Sequence, residues 1–165
     1  MDPNYGSHDI ADIARRVISD ICTPGHEVVV EGDKVYALVD GPKVERMIEN
    51  LVMNAVKYSP DGTRIWVKAR QERDQAMICV EDEGSGVPPE FRDSIFEPFA
   101  RGDKKVSHSP GTGIGLALVS KFVQLHGGTI TVGESHAGGA SFIIRLPSSP
   151  PCQVSGVERA AVSAS

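Results

Sequence analysis

The chain has no apolar run of the roughly 18 residues that a membrane-spanning helix needs, and its first residues lack the pattern of a signal peptide. It also has no excess of basic residues, because 17 Lys and Arg stand against 22 Asp and Glu, for a net charge of -5. General binders of nucleic acid or of membrane surfaces rely on clustered Lys and Arg. We therefore expect a soluble domain with no nucleic-acid partner and no membrane contact.

Cysteine is scarce and unpaired. Cys22, Cys79 and Cys152 are far apart and odd in number, without the close paired spacing of zinc sites or the pattern of a disulfide framework. This usage favours a reducing, cytoplasmic location.

The composition suits a single folded domain. The chain has 165 residues, of which 40% are apolar and 24% charged, enough to bury a core. The polar start, residues 1–7, is expected to be a linker, and residues 8–147 are expected to form the domain. Residues 148–165 show no sustained periodicity and predict a disordered tail.

Hydrophobic periodicity predicts alternating helices and strands within that domain. Helices are predicted at Asp9 to Ile21, Lys43 to Tyr58 and Thr112 to His126, and strands at Glu27 to Glu31, Val35 to Asp40, Thr63 to Gln71, Ala76 to Val80, Thr129 to Val132 and Ala140 to Leu146. The first two strands are predicted to form a hairpin. The order of elements favours an α/β fold, a two-layer α/β sandwich with a mixed, mostly antiparallel sheet of about five strands and three helices on one face.

The second predicted helix carries a polar stripe. Asn50, Asn54 and Lys57 fall on one narrow side, at the edge of the apolar arc. Asparagine costs up to about 0.7 kcal/mol against alanine inside a helix, so two at i and i+4 need a reason. Magnesium is usually held by one or two protein oxygens plus substrate phosphates, and the amide oxygen of Asn54 can serve as such a ligand. The alternative is a pair of solvated amides on an exposed flank.

An Asp-x-Gly-x-Gly turn follows the strand that ends near residue 80. Period two places Asp82 on the same side as Ile78 and Val80, so its carboxylate is expected to point inward and to need donors. The exocyclic amine of adenine is a suitable donor, and Gly84 and Gly86 would let the backbone approach a flat ring. The alternative is an Asx turn in a polar loop.

A glycine-alternating loop, Gly111-Thr-Gly-Ile-Gly-Leu, leads into the third predicted helix. The free N–H groups and the positive dipole end of a helix suit phosphate oxygens. The loop matches neither Gly-x-x-x-x-Gly-Lys-Ser/Thr nor Gly-x-Gly-x-x-Gly after a strand, so a flexible hinge is the alternative. The preceding residues 102–110 predict a mobile lid.

Four segments in order resemble the N, first glycine, F and second glycine boxes of sensor histidine kinases. They are Asn50-Leu-Val-Met-Asn-Ala-Val-Lys-Tyr-Ser-Pro, Asp82-Glu-Gly-Ser-Gly-Val-Pro, Phe96-Glu-Pro-Phe-Ala-Arg and Gly111-Thr-Gly-Ile-Gly-Leu. The resemblance covers about residues 9–147 and implies the Bergerat ATP-binding fold, which is shared with type II topoisomerases, mismatch-repair ATPases and heat-shock chaperones.

The resemblance implies ATP and Mg²⁺ as cofactors, with Asn54 as the metal ligand and Asp82 as the adenine reader. The residues that it implies at the nucleotide are Asn50, Asn54, Lys57, Tyr58, Asp82, Gly84, Gly86, Val87, Gly111, Thr112, Gly113, Ile114, Gly115, Leu116 and Ser141. Asn50, Lys57 and Arg101 are implied in catalysis, with Arg101 contacting phosphate or the partner domain from the lid side.

Three positions need comment. Ala100 stands where an aromatic residue is common in the F box, and Gly139-Ala-Ser-Phe lacks the usual threonine after glycine, which leaves Ser141 as the stand-in for a residue that contacts adenine through water. In the related ATPases the position of Asn50 resembles that of a glutamate that activates water, and an amide cannot take a proton. The chain alone is therefore expected to bind nucleotide and to hydrolyse it poorly.

The chain lacks the phosphoacceptor histidine pattern of a histidine kinase, since His8-Asp-Ile is not followed by an Arg-Thr-Pro-like run. The resemblance thus implies the Mg-ATP-binding catalytic domain of a two-component sensor histidine kinase, an enzyme fragment that presents the γ-phosphate to a histidine on another domain. The implied partners are the histidine-bearing dimerisation hairpin of the parent kinase and a downstream response regulator. Because kinase dimers form through that hairpin, we expect the isolated chain to be a monomer.

The alternative is an anti-sigma-factor-type serine kinase and binding module of the same fold. Such proteins usually have a glutamate at the position of Asn50 and a less complete F box, so Asn50, the Lys57-Tyr58 pair and Phe96 to Phe99 favour the histidine kinase. A nucleotide-free domain that only binds proteins is a third possibility, disfavoured because every box is filled.

Overall fold

The computed structural model describes residues 4–97 and 115–148. In chain order the elements are β1 (Gly6–Asp9), α1 (Ile10–Asp20), β2 (Glu27–Glu31), β3 (Tyr36–Val39), α2 (Gly41–Tyr58), β4 (Arg64–Glu72), β5 (Gln75–Asp82), α3 (Gly115–Leu125), β6 (Thr129–Glu134) and β7 (Ala140–Pro147). Two short 3₁₀ helices, Pro89–Phe91 and Ser94–Phe96, lie between β5 and α3. None of the helices in these two stretches is long and apolar enough to cross a membrane.

Five strands form a mixed sheet in the order β2-β4-β5-β7-β6. β2 and β4 are parallel, and the other neighbouring pairs are antiparallel. α2 packs on β4 and β5 at the centre of the sheet, with α1 and α3 on its two sides. The predicted two-layer sandwich of three helices on a sheet of about five strands is confirmed.

The core lies between α2 and the sheet because both elements present a continuous apolar face. On α2 the buried residues are Val44, Met47, Ile48, Leu51, Val52 and Ala55, the spacing of one helix side. Ile65 and Val67 of β4 and Ile78 and Val80 of β5 meet this face and are at most 1% exposed. This packing fixes the rotation of α2 and therefore the direction in which its polar stripe points.

The predicted hairpin of β2 with β3 is wrong. β2 pairs with β4 in the main sheet, whereas β3 pairs antiparallel with β1 in a separate two-stranded sheet. β3 buries Ala37 and Val39 on one side and exposes Tyr36 and Leu38 on the other. The alternation of apolar and polar residues was sufficient to predict β3 as a strand. Its partner, however, is the N-terminal strand β1 and not β2.

The N-terminal residues that were predicted to be a linker belong to the fold from residue 4 onward. The backbone N–H of Asn4 donates to Asp40 Oδ2 at 2.8 Å, and the Tyr5 hydroxyl donates to the carbonyl of Leu125 at 3.3 Å. The next residues form β1. The domain therefore begins before residue 8.

The C-terminal boundary extends by one residue. The N–H of Ser148 donates to the carbonyl of Asp74 at 2.7 Å, and its carbonyl accepts from the N–H of Leu38 at 2.8 Å. The remainder of the predicted tail, residues 149–165, lies outside the described residues.

Asp40 joins three elements at the start of α2. It is 3% exposed, caps the helix by accepting from the N–H of Lys43, and accepts from the Lys43 ammonium at 3.0 Å. Its own N–H donates to Nε2 of His126, just after α3, at 3.1 Å. Burial raises the pKa of Asp40, but the hydrogen bonds from Asn4 and Lys43 and the Lys43 charge outweigh burial, so the pKa lies below its ordinary value.

We expect Asp40→Asn to destabilise the fold at neutral pH and to matter less in acid. Because the folded-state pKa of Asp40 is lowered, the carboxylate contributes its full stability above the unfolded-state pKa, and that contribution is lost as the pH falls below about 4. At pH 7 the substitution should lower the free energy of unfolding by about 1–3 kcal/mol, measured by urea denaturation.

The matched control is Asp12→Asn. Asp12 lies 3.6 Å from Arg16 with 64% of its side chain exposed, so its loss should change stability by less than about 0.5 kcal/mol. A difference between wild type and Asp40→Asn that stays constant from pH 7 to pH 3 would contradict this role for the Asp40 charge.

Candidate functional site

The carboxylate of Asp82 is buried at the end of β5. The residue is 4% exposed and points to the helix side of the sheet, like Ile78 and Val80. Its Oδ1 accepts from the N–H groups of Gly84 at 2.8 Å and Ala140 at 3.0 Å. Within the described part of the chain, both hydrogen bonds to this carboxylate end on Oδ1, which leaves Oδ2 for a further donor. The predicted inward orientation is confirmed; contact with adenine remains a prediction.

The turn between β6 and β7 closes one side of this carboxylate. Ser135 Oγ donates to the Asp82 carbonyl at 2.7 Å and accepts from the N–H groups of Ala137 and Gly139. A Cβ on Gly139 would lie 2.3 Å from both the carbonyl oxygen and Oδ1 of Asp82, so the turn can approach this closely only with glycine there. The sequence analysis missed Ser135 and Gly139; the Ser-x-x-Gly-Gly turn pattern was the available signal.

The C-terminal end of α2 closes the other side. A Cβ on Gly84 would lie 2.6 Å from the carbonyl oxygen of Tyr58 and 3.2 Å from both Ser59 Oγ and Asp82 Oδ1. The glycine therefore lets the Asp82 turn pass directly over the end of the helix. Ser59, the residue after α2, is only 8% exposed.

The second glycine of the Asp82 turn is required by the backbone conformation at its position. Gly86 has φ +79°, in the left-handed region that favours glycine, and a Cβ there would lie 3.6 Å from the carbonyl oxygen of Gly139. Val87 is half-buried against the core, and its carbonyl accepts from Arg92 Nε at 2.9 Å. That these two residues line a base pocket remains a prediction.

The polar stripe of α2 faces the start of α3. A Cβ on Gly115 would lie 3.5 Å from Asn50 Oδ1, and the Asn50 Nδ2 atom is buried without a hydrogen-bond partner among the described residues. Asn54 is half-buried one turn further on. Lys57 is exposed, with its ammonium 5.8 Å from the ring centroid of Tyr58. The stripe thus runs from the start of α3 toward the end of α2 that contacts Gly84.

Part of the predicted site lies outside the described residues. Leu116 is half-buried against the core in the first turn of α3. The structure describes nothing of Ala100, the lid or these predicted site residues: Arg101, Gly111, Thr112, Gly113 and Ile114.

The prediction that Ser141 lies in the Asp82 pocket is wrong. Ser141 pairs with Glu81, and its hydroxyl contacts Cys79 Sγ at 3.3 Å, on the sheet face away from the helices. Side chains alternate along a strand, so Ala140 and not Ser141 shares the side of Asp82. Position 141 therefore cannot replace the threonine that the family carries after this glycine.

The two neighbouring acids of β5 have different surroundings. Glu81 Oε1, on the outer face, is 2.8 Å from the Lys68 ammonium and 2.9 Å from His136 Nδ1. Burial raises the pKa of Glu81, but these contacts outweigh burial and lower the pKa overall. The Asp82 carboxylate accepts from backbone N–H groups instead. Glu81 therefore forms ion pairs on the outer face of the sheet, whereas Asp82 faces the candidate site.

The described side chains alone offer too few ligands for a metal ion, so a bound molecule would have to supply further oxygen ligands. Among residues 4–97 and 115–148 there is no group of three or more His, Cys, Asp or Glu side chains that could hold a metal ion. In the described part of the site the polar groups include the amides of Asn50 and Asn54, the Asp82 carboxylate, the Ser59 hydroxyl and backbone atoms. Amide oxygens suit Mg²⁺ when phosphate oxygens and waters complete the coordination.

The α/β sandwich, the Asp82 turn with its glycines and the asparagines of α2 together indicate a nucleotide-binding domain. The comparisons with known proteins identify its family. Residues 39–150 match the family model described as histidine kinase-, DNA gyrase B-, and HSP90-like ATPase. The chain belongs to this family, as the four sequence boxes predict.

Individual relatives and solved structures are consistent with this family. The chain is 45% identical over 109 residues to the sensor protein KdpD of Escherichia coli (strain K12), covering 66% of this chain and 12% of KdpD. The mycobacterial sensor histidine kinase MprB superposes with a TM-score of 0.77 at 28% identity, covering 90% of this chain and all of that one. Full-length ShkA in complex with AMPPNP superposes with a TM-score of 0.78 at 26% identity, covering 92% of this chain and 32% of ShkA.

We expect Gly139→Ala to destabilise the domain by about 1–3 kcal/mol, measured by denaturant unfolding, because the new Cβ would overlap the Asp82 carbonyl and carboxylate. The control is Gly133→Ala in β6, where an added Cβ would meet nothing within 4 Å, so stability should change by less than about 0.5 kcal/mol. Equal effects of the two substitutions would argue against close packing of the turn on Asp82.

Proposed function

We propose that the chain is the Mg-ATP-binding catalytic domain of a two-component sensor histidine kinase, which presents the γ-phosphate to a histidine on another domain. The observation that supports it most is the arrangement around Asp82: a buried carboxylate fixed through one oxygen, with glycines on both sides that keep Cβ atoms away. This arrangement suits a flat ring that offers a single donor.

The proposed base contact follows from the two oxygens of Asp82. Oδ1 is oriented by the N–H groups of Gly84 and Ala140, and Oδ2 accepts from the exocyclic amine of adenine. Guanine carries an oxygen at the corresponding ring position, which a carboxylate repels. Asp82 therefore accounts for a preference for adenine over guanine.

The proposed phosphate contacts lie between α2 and α3. The start of α3 at Gly115 faces Asn50, and a helix N-terminus favours negative charge. We assign Asn54 as the protein ligand of Mg²⁺, and the loop of residues 111–116 as the phosphate loop. When bound, Mg²⁺ supplies charge neutralisation at the phosphates.

We assign catalytic roles to Asn50, Lys57 and Arg101 as groups that orient the nucleotide and its terminal phosphate. None of the three is a general base at neutral pH, because an amide cannot take a proton and the two cations are already protonated. Hydrolysis by water is therefore slow in this domain, and the nucleophile comes from the phosphoacceptor histidine. MprB is a sensor histidine kinase by name, KdpD is named a sensor protein, and ShkA was solved in complex with the ATP analogue AMPPNP.

The phosphoacceptor hairpin belongs to the proposed parent kinase, and the response regulator is its proposed downstream partner. The chain spans 12% of the length of KdpD. We propose that the histidine-bearing hairpin is the physiological partner of this domain and that the isolated domain is monomeric, which light scattering measures directly.

Calorimetric titration with AMPPNP tests the site. We expect binding in the presence of MgCl₂, a loss of about tenfold or more in affinity for Asp82→Asn, and a loss for Asn54→Ala that disappears when EDTA removes the metal. Asp12→Asn on the exposed side of α1 should bind as wild type does. No binding by the wild-type chain would refute the proposed function, and an Asn54→Ala variant with intact magnesium dependence would refute the metal ligand.

Phosphotransfer tests the reaction. Mixing the chain with ATP and a separate histidine-bearing hairpin domain of a related kinase should give acid-labile, alkali-stable phosphate on the hairpin, as expected of phosphohistidine. Acid-stable phosphate on serine would instead support the anti-sigma-type alternative.

A further inference from the structure

Ser59 has a buried hydroxyl without a partner beside the proposed base pocket. The residue is 8% exposed, and its Oγ is buried and makes no hydrogen bond within residues 4–97 and 115–148. This Oγ and Asp82 Oδ1 each lie 3.2 Å from the point where a Cβ of Gly84 would stand. The hydroxyl and the carboxylate therefore face the same small space.

A buried hydroxyl without a partner destabilises a fold, since it gives up its hydrogen bonds to water and gains none. Almost all such groups in folded proteins have a partner, which is a protein atom, a bound water or a ligand. At Ser59 the neighbouring atoms belong to the Asp82 turn, where Gly84, which has no Cβ, packs closely against the Tyr58 carbonyl and the Ser59 hydroxyl. A base bound at Asp82 would therefore lie close to this hydroxyl.

Adenine presents matching groups at adjacent positions of one edge. Its exocyclic amine is a donor, and the neighbouring ring nitrogen N1 is an acceptor. A carboxylate accepts from the amine but cannot serve N1, which needs a donor. A serine hydroxyl can rotate its proton toward such an acceptor.

We infer that Ser59 is a second base-reading residue: its hydroxyl donates a hydrogen bond to adenine N1, directly or through one bound water, beside the amine that Asp82 accepts. This role rests on the proposed ATP-binding function. It divides base recognition between two elements, with the acceptor supplied by the end of β5 and the donor by the end of α2.

The test compares two nucleotides on matched variants of the whole chain. Calorimetry with Mg²⁺ measures the affinity of wild type and Ser59→Ala for ADP and for 1-deaza-ADP, in which N1 is replaced by a C–H group. Ser19→Ala is the control, because it removes a serine hydroxyl from the exposed side of α1, where Oγ donates to the Arg16 carbonyl. Thermal unfolding without nucleotide shows that each variant is folded.

For wild type and Ser19→Ala we expect 1-deaza-ADP to bind about threefold to tenfold more weakly than ADP. For Ser59→Ala we expect ADP binding to be weakened by a similar factor and the difference between the two nucleotides to vanish. Its thermal stability should be equal to that of wild type or higher, because the substitution removes an unpartnered hydroxyl.

The outcomes separate the two proposals. Wild type that binds no ADP would refute the ATP-binding function and this inference with it. Wild type that binds ADP, together with Ser59→Ala that binds it equally well, would overturn the role of Ser59 and leave the function standing. Weaker ADP binding by Ser59→Ala with an undiminished penalty for 1-deaza-ADP would show a purely structural effect and would also overturn it.

Discussion

The site depends on two backbone hydrogen bonds that end on a single oxygen, Oδ1 of Asp82. One comes from Gly84 in the turn after β5 and the other from Ala140 at the start of β7, so the carboxylate joins segments that are far apart in the sequence. Burial of a carboxylate is unfavourable unless donors replace water. Here the donors are rigid backbone groups, which fixes the orientation of the second oxygen as well.

Three further contacts keep this arrangement in place. The Ser135 hydroxyl holds the β6–β7 turn against the Asp82 carbonyl, and Gly139 and Gly84 allow the turns to approach the carboxylate and the end of α2. The apolar face of α2, packed on β4 and β5, sets the rotation of that helix. The same packing that stabilises the domain therefore directs Asn50 toward α3 and leaves Ser59 beside Asp82.

The parts of this structure that follow from local periodicity could be predicted from the sequence. The apolar arc of α2 placed Asn50 and Asn54 on its edge, and alternation in β5 directed Asp82 inward. The order of helices and strands along the chain was sufficient to predict the two-layer sandwich. The motifs of the family then predict which turns belong to one site, because their combination is specific where each alone has an ordinary structural explanation.

The remaining features depend on contacts between distant residues. Pairing of β3 with β1 could not be inferred from their patterns, because a short alternating strand fits more than one neighbour. The role of Gly139 arises from a turn that meets Asp82 only in the folded chain. Ser141 is different: alternation with the inward Phe142 would have placed it on the outer face, and carrying over a family position without that check caused the error.

The contacts of Asn4 and Tyr5 have a mechanical consequence. Asn4 is bonded to Asp40 at the beginning of α2, and Tyr5 to Leu125 at the end of α3, while Tyr5 and His126 pack ring edge against ring face. The opposite ends of these two helices carry Ser59 and Gly115. Asn4 and Tyr5 directly precede β1, so a displacement of this strand would strain the hydrogen bonds that tie it to the start of α2 and to the end of α3.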